Sequence, residues 1–331
     1  MSKILLVCYV SPKIGLGHLS RLLALAQTLK KDKKVVPEFL IFGDLIKKDE
    51  LDSFVVHSFS VENDFVQTIK NLLKDDNFKA IVIDVYQNHN ISNLYDLFTK
   101  LKQQNIFIIG IDSLIEYCDI LDLIWIPSFN FDANKHKNCK SLLKSGWGTY
   151  LIQKRLNHKK WSPGSKILVL TGGSDVLNLA KTLPSQLDKL LDDKSEINWV
   201  KGPLSKKPSI PQKLRLNWTI HDAPQQLDKL ITQSNYVLTV FGVSFFEVLQ
   251  YGIPTVVFSP YDNKDDKDLA ALFKEEVAIV SYNSQSAIKE LLKLMINEKL
   301  ANKLSRNALK KLSINGSEKL SKEIHLLLKR Y

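Results

Sequence analysis

The sequence predicts an α/β protein built from two tandem, doubly wound Rossmann-like domains. Apolar runs of strand length alternate with amphipathic helical segments, and this alternation favours parallel sheets with right-handed crossovers. The alternation restarts at residue 166, after a polar segment that contains Pro-Gly. We therefore expect a first domain over 1–154, a linker over 155–165 and a second domain over 166–331, whose last helix could pack back onto the first.

The predicted strands are continuous apolar runs, the pattern of strands that are buried on both faces of a parallel sheet. Ligands of such sheets bind beyond the carboxyl ends of the strands, and two facing domains form a cleft there. The candidate residues below lie at such strand ends or in the loops that follow. In the first half, the predicted strands span 3–10, 36–42, 79–86, 106–112 and 123–127, and the helices span 18–30, 61–76 and 92–104. In the second half, the strands span 166–173, 197–202, 216–223, 236–242 and 254–260, and the first helices span 177–191 and 244–252.

The composition is that of an ordinary globular protein, with 44% hydrophobic and 24% charged residues. No apolar run has the length of a membrane span, and no secretory leader is recognisable. We expect a cytoplasmic protein with at most peripheral contact with the inner face of the membrane. The three cysteines are odd in number and widely spaced, which fits neither a metal site nor a disulfide framework.

The net charge of +11 is compatible with nucleic acid, an anionic membrane surface or anionic small molecules as partners. The lysines are spread along the chain, with modest clusters at 30–34 and 206–207, and most of them fit a solvated surface. Basic residues interleaved with aromatics, the pattern of a nucleic-acid groove, are missing from the sequence. We therefore expect no nucleic-acid partner.

The segment IGLGHLSR, residues 14–21, joins the first predicted strand to the first helix. Gly15 and Gly17 allow a tight turn and a close approach of the backbone to a ligand. His18 stands at the start of the helix, where the positive end favours a neutral imidazole that can act as a base. Arg21, one turn further, could contact a phosphate or hold an acidic partner. The segment is neither a P-loop nor a dinucleotide fingerprint, and a glycine turn with a capping histidine stays an alternative.

Asp84 and Tyr86 end a strand that is otherwise apolar, and the two-residue period of a strand places them on the same side. They could line a ligand site with a carboxylate and a phenol. The alternative is a structural role, with the aspartate as a helix cap and the tyrosine as a packing residue.

The second domain begins with a strand and a double-glycine turn. Gly172, Gly173 and Ser174 could present backbone N–H groups and a hydroxyl to an anion at the start of the next helix. Asp175 suits the amino-terminal cap of that helix. A glycine turn followed by a good cap explains the same residues without a ligand.

Another glycine turn, in VFGVSFFEVLQYGIP, follows a later strand of the second domain. Gly242 and Ser244 lie at the strand end, and we expect Glu247 in the first turn of the next helix. A carboxylate there suits the helix dipole and could accept both hydroxyls of a ribose. The acidic loop 261–268 comes after the next strand, and its aspartates could bind a divalent cation or remain solvated.

These segments together resemble the GT-B glycosyltransferase superfamily. Within it, the chain is most similar to the UDP-sugar hydrolases of pseudaminic acid biosynthesis and their spore-coat-polysaccharide relatives. The resemblance runs through SPKIGLGHLSRLLALA, IVIDVY, YCDILDLIW, TGGSDVLNLAKTL, FFEVLQYGIP and DN, of which the first and fourth are the most specific. It implies two Rossmann-like domains with a cleft between them, a UDP-sugar substrate, and chemistry that requires no metal or other cofactor.

The resemblance also implies roles for individual residues. His18 would be the general base that activates water, and Tyr86 and Asn263 would line the sugar site as further catalytic residues. Glu247 would hold the ribose, and the two glycine turns of the second domain would surround the diphosphate. The implied substrate-binding residues are Gly15, Gly17, Arg21, Asp84, Gly172, Gly173, Ser174, Gly242, Val243, Ser244 and Glu247.

Water would attack the anomeric carbon and UDP would leave, so the leading hypothesis is a nucleotide-sugar hydrolase of surface-glycan biosynthesis. The chain departs from the family pattern at residues 8–11, where CYVS replaces an Arg-x-Asp pair, and at Val85 and Lys264. These departures leave room for a GT-B glycosyltransferase that moves the sugar to a glycan or lipid-linked acceptor. A non-catalytic nucleotide-sugar-binding protein is the third hypothesis.

Overall fold

The computed structural model describes residues 1–12, 14–44, 49–75, 77–85, 91–157, 159–260 and 265–329. By their contacts, the residues of the chain form two compact units, Met1–Ile152 with Ile314–Tyr331, and Gln153–Ser313. The sequence assigns the C-terminal segment to the second domain, with a last helix that could pack back, whereas its contacts place it in the first unit.

The first unit contains one parallel sheet of seven strands. The strands are β1 (Ser2–Val10), β2 (Val35–Gly43), β3 (Val55–Phe59), β4 (Phe78–Val85), β5 (Phe107–Asp112), β6 (Leu123–Trp125) and β7 (Leu142–Lys144), in the order β3-β2-β1-β4-β5-β6-β7. The helices α1 (Gly17–Leu29), α2 (Phe65–Asp75) and α3 (Leu94–Gln103) follow β1, β3 and β4. Because the strand order reverses between β1 and β4, the carboxyl ends of these strands form the switch point where such sheets bind ligands.

Both faces of this sheet are covered, which explains why its inner strands read as continuous apolar runs. Along β1, Leu6 and Cys8 belong to the core that includes α1, whereas Val7 and Tyr9 belong to the core that includes α2 and α3. The ring of Tyr9 stacks on Phe65 of α2 with 5.6 Å between centroids. A strand residue therefore faces either α1 or the α2 and α3 pair according to its parity.

The second unit contains a parallel sheet of six strands. The strands are β8 (Lys166–Leu170), β9 (Glu196–Lys201), β10 (Asn217–Asp222), β11 (Tyr236–Val240), β12 (Thr255–Phe258) and β13 (Ile279–Ser281), in the order β10-β9-β8-β11-β12-β13. Its helices are α4 (Leu179–Leu190), α5 (Leu227–Gln233), α6 (Val243–Leu249), α7 (Asp266–Glu275), α8 (Ser284–Met295) and α9 (Glu298–Lys311). The order reverses between β8 and β11, so the loops after these two strands flank the switch point of this sheet.

The last helix, α10 (Gly316–Leu328), belongs to the first unit. Leu320 and Ile324 pack in the same core as α1. His325 fixes the outer end of the helix, because its Nε2 donates to the carboxylate of Asp32 at 2.8 Å. None of the helices in the described residues is long and apolar enough to cross a membrane.

The predicted doubly wound α/β class is confirmed, and each predicted strand is present. The edge strand β3 was not predicted because Val55 and Phe59 are exposed and its residues are not a continuous apolar run. The strands β7 and β13 have only three residues each, too few for a pattern to emerge. β8 ends at Leu170, so residues 171–173 belong to the following turn rather than to the strand.

Candidate active site

The turn between β1 and α1 places His18 at the carboxyl edge of the first sheet. Gly15 has a φ of +80°, a left-handed conformation that glycine adopts without strain, and its N–H donates to the carbonyl of Ser11 at 2.7 Å. α1 begins at Gly17, so His18 is its second residue. The histidine is buried, with 8% of its surface exposed.

Asp84 lies at the end of β4, beside β1, and its carboxylate has no exposed surface. It shares its strand parity with Ala80 and Val82, which pack in the core that includes α1. The Oδ1 atom of Asp84 is 2.7 Å from Nδ1 of His18. Of the two roles that the sequence leaves open for Asp84, this contact supports a role in the site rather than in a helix cap.

The position of the His18 proton follows from its two neighbours. Nδ1 lies 2.7 Å from the Asp84 carboxylate and 3.0 Å from Nη2 of Arg21. An ionised carboxylate only accepts and a guanidinium only donates, so the shorter contact assigns a proton to Nδ1, which donates to Asp84. The lone pair of a neutral ring then lies on Nε2, and within the described ranges no side chain is hydrogen-bonded to that atom.

Arg21 lies one turn after His18 and binds the same carboxylate. Its Nε donates to Oδ2 of Asp84 at 2.8 Å, and its Nη2 donates to Oδ1 at 2.7 Å. This fork is the geometry in which arginine recognises a carboxylate most strongly. Between the phosphate contact and the acidic partner that the sequence allows for Arg21, the structure supports the acidic partner.

The charges of this cluster stabilise one another. Full burial opposes ionisation of Asp84, but Arg21 and then His18 outweigh it and lower the pKa of this carboxyl below its usual 3.8. Burial also opposes the charge of Arg21, but Asp84 and Asp112 reverse the effect and raise the pKa of the guanidinium. The Cys8 thiol lies beside Asp84 in the sheet, and burial followed by the charge of Asp84 raises its pKa. The cluster therefore holds an ionised carboxylate and a protonated, unreactive thiol.

Asp112 belongs to the cluster although the sequence analysis did not single it out. It is the last residue of β5, and its Oδ2 accepts a hydrogen bond from Nη1 of Arg21 at 3.2 Å. An aspartate directly after the apolar run IFIIGI was the available signal. The sequence could not show that this carboxylate reaches a residue of α1.

Tyr86 and Asn263, which the family resemblance places in the sugar site, lie outside the described residues. Their roles stay predictions.

In the second unit, a turn over residues 171–174 connects β8 to the segment before α4. Gly172 has a φ of +87°, and the carbonyl of Gly173 accepts a hydrogen bond from the N–H of Leu204 at 2.9 Å. Gly202, which the sequence analysis missed, packs directly on this turn. A Cβ atom at Gly202 would lie 2.4 Å from the Gly172 carbonyl oxygen and 2.5 Å from that of Gly173. Only glycine at position 202 lets the two backbone segments approach this closely.

The start of α4 differs from the sequence expectation. The helix begins at Leu179, and the buried carboxylate of Asp175 accepts hydrogen bonds from the N–H groups of Leu179 and Ala180 at 2.9 and 2.8 Å. Asp175 therefore caps the helix, as its residue type suggests, but it also occupies the N–H groups that an anion would need. An anion near Gly172 would therefore have to be bound by the backbone N–H groups of the turn itself.

The segment after β11 forms α6, a helix of seven residues that starts at Val243. Gly242 precedes the helix, Ser244 lies in its first turn, and Glu247 is its fifth residue. The expectation that Glu247 lies in the first turn is therefore wrong, because the helix starts directly after the glycine. The half-buried Glu247 therefore lies one residue beyond the first turn of α6.

Three aromatic side chains pack against one another on either side of this turn. Phe245 and Phe246 of α6 are buried, with ring centroids 5.0 Å apart, and Phe241 contacts both rings at 5.9 and 5.7 Å. The three phenylalanines of this segment thus pack against one another within the unit. They fix the backbone that carries Gly242 and Ser244.

Comparison with known proteins identifies solved structures with a similar fold and a curated protein with a related sequence. No protein-family model matches the chain. An uncharacterized protein of Methanocaldococcus jannaschii, MJ1062, is 29% identical over 289 residues, or 79% of this chain. The chain spans 56% of the length of that relative, so the relative contains a further region that the match does not reach.

The solved structures with a similar fold include two complexes with uridine nucleotides. Staphylococcus aureus MnaA, solved with UDP, has a TM-score of 0.66 at 12% identity, covering 99% of this chain and 97% of that one. Phytolacca americana UGT2, solved with UDP-2-fluoro-glucose and pterostilbene, has a TM-score of 0.65 at 13% identity, covering 97% and 98%. These similarities confirm the two-unit, Rossmann-like architecture of the GT-B fold.

Proposed function

We propose that this protein is a nucleotide-sugar hydrolase in which His18 activates water. The observation that carries the proposal is the buried contact between Nδ1 of His18 and Asp84, which leaves the Nε2 lone pair for a substrate. A histidine that a buried carboxylate orients in this way is a common arrangement for a general base. The similarity of the fold to UDP-bound structures supports a nucleotide sugar as the substrate class.

In the proposed reaction, Nε2 of His18 accepts a proton from water as the water oxygen attacks the anomeric carbon. The bond between that carbon and the diphosphate oxygen breaks, and UDP leaves with the electron pair. General-base assistance of this kind contributes about 10²–10⁴ to a rate. The charge that forms on His18 is balanced by Asp84, which is ionised because Arg21 lowers its pKa. No step is assigned to a metal, so we expect turnover to persist in EDTA.

We assign the nucleotide to the second unit. The turn at Gly172, Gly173 and Ser174 and the segment Gly242, Val243 and Ser244 lie after β8 and β11, the two strands at the switch point of that sheet. Backbone N–H groups at such positions suit a diphosphate. Glu247 would accept hydrogen bonds from the ribose hydroxyls, independently of any helix-dipole effect.

The resemblance to the pseudaminic-acid-pathway hydrolases suggests the sugar. A UDP-diacetamido-trideoxyhexose is the first substrate to test, which would place the enzyme in the biosynthesis of a surface-glycan nonulosonate. This part of the proposal depends on the sequence motifs, and the fold by itself does not distinguish among sugars.

A GT-B glycosyltransferase is the second candidate. The complex of Phytolacca americana UGT2 with a UDP-sugar analogue and pterostilbene shows a similar fold with a second organic molecule bound. The net charge of +11 would also suit an acceptor at an anionic membrane surface. In that case, an acceptor hydroxyl would replace water in front of His18.

The deciding experiment follows UDP release by 31P NMR from a panel of UDP-sugars, with and without glycan and lipid-linked acceptors. A hydrolase releases UDP and free sugar without an acceptor. Turnover that requires an acceptor would establish the transferase instead. Binding of UDP without turnover in either condition would establish a non-catalytic binding protein and refute both enzymes.

A further inference from the structure

Asp112 has an unusual backbone conformation at the end of β5. Its φ is +66°, in the left-handed region that residues other than glycine seldom occupy. The N–H of Ser113 donates to the carbonyl of Ile111 at 3.1 Å, which closes a tight turn around Asp112. The hydroxyl of Ser113 donates to the carbonyl of Val85 and ties this turn to β4. A strained residue held by several contacts at a strand end is a reason to look for a function.

The turn changes the face of the sheet to which Asp112 contributes. Ile109 and Ile111 of β5 pack in the core that includes α1, whereas Ile108 packs in the core that includes α2 and α3. Regular alternation would direct residue 112 toward α2 and α3. The left-handed turn instead brings its carboxylate to Arg21, which lies on α1.

Asp112 completes the set of acceptors around Arg21. Nε and Nη2 of the guanidinium bind Asp84, and Nη1 binds Asp112. The Arg21 side chain is 14% exposed and that of Asp112 is 46% exposed, so Asp112 forms the solvent-facing end of the network. The network joins α1, β4 and β5, and each contact orients the next group inward, from Asp112 through Arg21 and Asp84 to His18.

The charged groups around His18 influence whether its ring takes a second proton. A lone buried carboxylate beside His18 would favour a second proton on the ring, since imidazolium and carboxylate attract. Arg21 shares the Asp84 carboxylate with His18, and its Nη2 lies 3.0 Å from Nδ1 of His18, where a positive charge makes a second proton on the resting ring less favourable. Arg21 can do this only while its guanidinium stays in the fork, and Asp112 supplies the third contact that holds it there.

We infer that Asp112 and Arg21 are positioning residues that hold His18 as the neutral ring with its proton on Nδ1 and a free lone pair on Nε2. The effect of this positioning on catalysis rests on the proposed function. The protonation state of the His18 ring can be tested independently, because it can be observed without a substrate.

The test compares Asp112→Gly and Asp112→Asn with the wild type. Glycine accepts the left-handed turn but removes the carboxylate, whereas asparagine keeps the shape and removes only the charge. Asn105→Gly is the matched control, since Asn105 also has a positive φ, of 56°, and lies outside the network. Ring 15N NMR of His18 at neutral pH is the first measurement, and kcat for UDP release with the affinity for UDP is the second.

We expect the wild type and Asn105→Gly to show one neutral tautomer with the proton on Nδ1. In Asp112→Gly, the ring signals should shift toward a mixture that includes protonated imidazole. Its kcat should fall about tenfold or more while UDP affinity is unchanged. Asp112→Asn should show a smaller change in the same direction.

Wild-type ring signals together with wild-type kcat in both Asp112 variants would overturn the inference. The two hypotheses fail separately. If the wild type releases no UDP from any UDP-sugar, the proposed function is wrong, and unchanged ring signals in both variants would still be needed to reject the positioning role.

Discussion

The carboxylate of Asp84 is completely buried and accepts a hydrogen bond from Nδ1 of His18 at 2.7 Å. The two residues are 66 positions apart in the chain. They meet because His18 is on the helix that follows β1, Asp84 is near the end of β4, and β1 and β4 are neighbours in the sheet. A buried carboxylate needs partners of this kind to remain ionised. This contact fixes the orientation of the His18 ring, as the proposed role of a general base requires.

Replacing His18 should separate catalysis from nucleotide binding. In His18→Ala, we expect turnover to fall about 10²–10⁴-fold because the general base is lost, while affinity for UDP stays within about twofold. Kinetics of UDP release and calorimetric titration with UDP measure the two quantities. His136→Gln is the control, since His136 lies in a surface turn and stacks on Phe131 away from α1. Equal loss of UDP affinity and turnover would show that His18 binds rather than catalyses.

Asp84→Asn should destabilise the first unit in a pH-dependent way. The substitution removes the charge that balances the buried Arg21, and breaking one side of a buried pair costs about 3–5 kcal/mol. Because the pKa of Asp84 in the folded protein lies below its usual 3.8, the ionised form contributes stability that is complete above that value. It is lost as the pH falls through the lower, folded-state pKa.

Urea unfolding of both proteins from pH 7 down to about pH 3 tests this dependence on ionisation. The difference between wild type and Asp84→Asn should be largest near neutral pH and should narrow below about pH 4. A difference that stays constant over the whole range would mean that shape, not charge, explains the role of Asp84.

Glu247→Ala should weaken binding of UDP. If the carboxylate accepts hydrogen bonds from both ribose hydroxyls, each bond contributes about 1.5–3 kcal/mol before desolvation, so affinity should fall at least about tenfold. The measurement is calorimetry with UDP, and 2′-deoxy-UDP should lose less affinity in the variant than in the wild type. Glu290→Ala is the control, because Glu290 lies on α8 and pairs with Lys293. Unchanged affinity for UDP in Glu247→Ala would place the ribose elsewhere.

Gly202→Ala should also weaken UDP binding, through the backbone. Its Cβ would collide with the carbonyl oxygens of Gly172 and Gly173, so the turn proposed to hold the diphosphate must move. A forced shift of this kind costs about 1–3 kcal/mol. In the control Gly148→Ala, the atom nearest to the new Cβ is the flexible amine end of Lys319, at 2.7 Å, and the other neighbours lie at ordinary contact distances, so UDP affinity should not change. Normal UDP affinity in Gly202→Ala would remove this turn from the nucleotide site.

The fold could be predicted from the sequence because parallel strands covered on both faces are continuous apolar runs. Strand β1, with the residues SKILLVCYV, is an example, and its last seven residues are buried. The edge strand β3 is exposed or half-buried along its whole length, and β7 and β13 are too short for any pattern. Local composition therefore predicts the centre of each sheet better than its edges.

The site could be predicted only in part. His18 and Arg21 were recognisable because the glycines and the helix start are local features. The partner of Arg21 could not be recognised, because the choice between a phosphate and a carboxylate depends on contact with a residue 63 positions away in the chain. Asp112 was missed for a similar reason, since a left-handed turn redirects its side chain and residue type does not reveal a φ of +66°. The first-turn placement of Glu247 was wrong because α6 starts at Val243, one residue before the predicted start, and helix starts are uncertain by about one or two residues.

The most direct test of the central claim is UDP release in water enriched in 18O, with 31P NMR of the product. If water that His18 activates attacks the anomeric carbon, the wild type gives UDP without 18O on its β-phosphate, and the label enters the sugar. His18→Ala should slow this reaction about a hundredfold or more. UDP that carries 18O on the β-phosphate, or an unchanged rate in His18→Ala, would contradict the account.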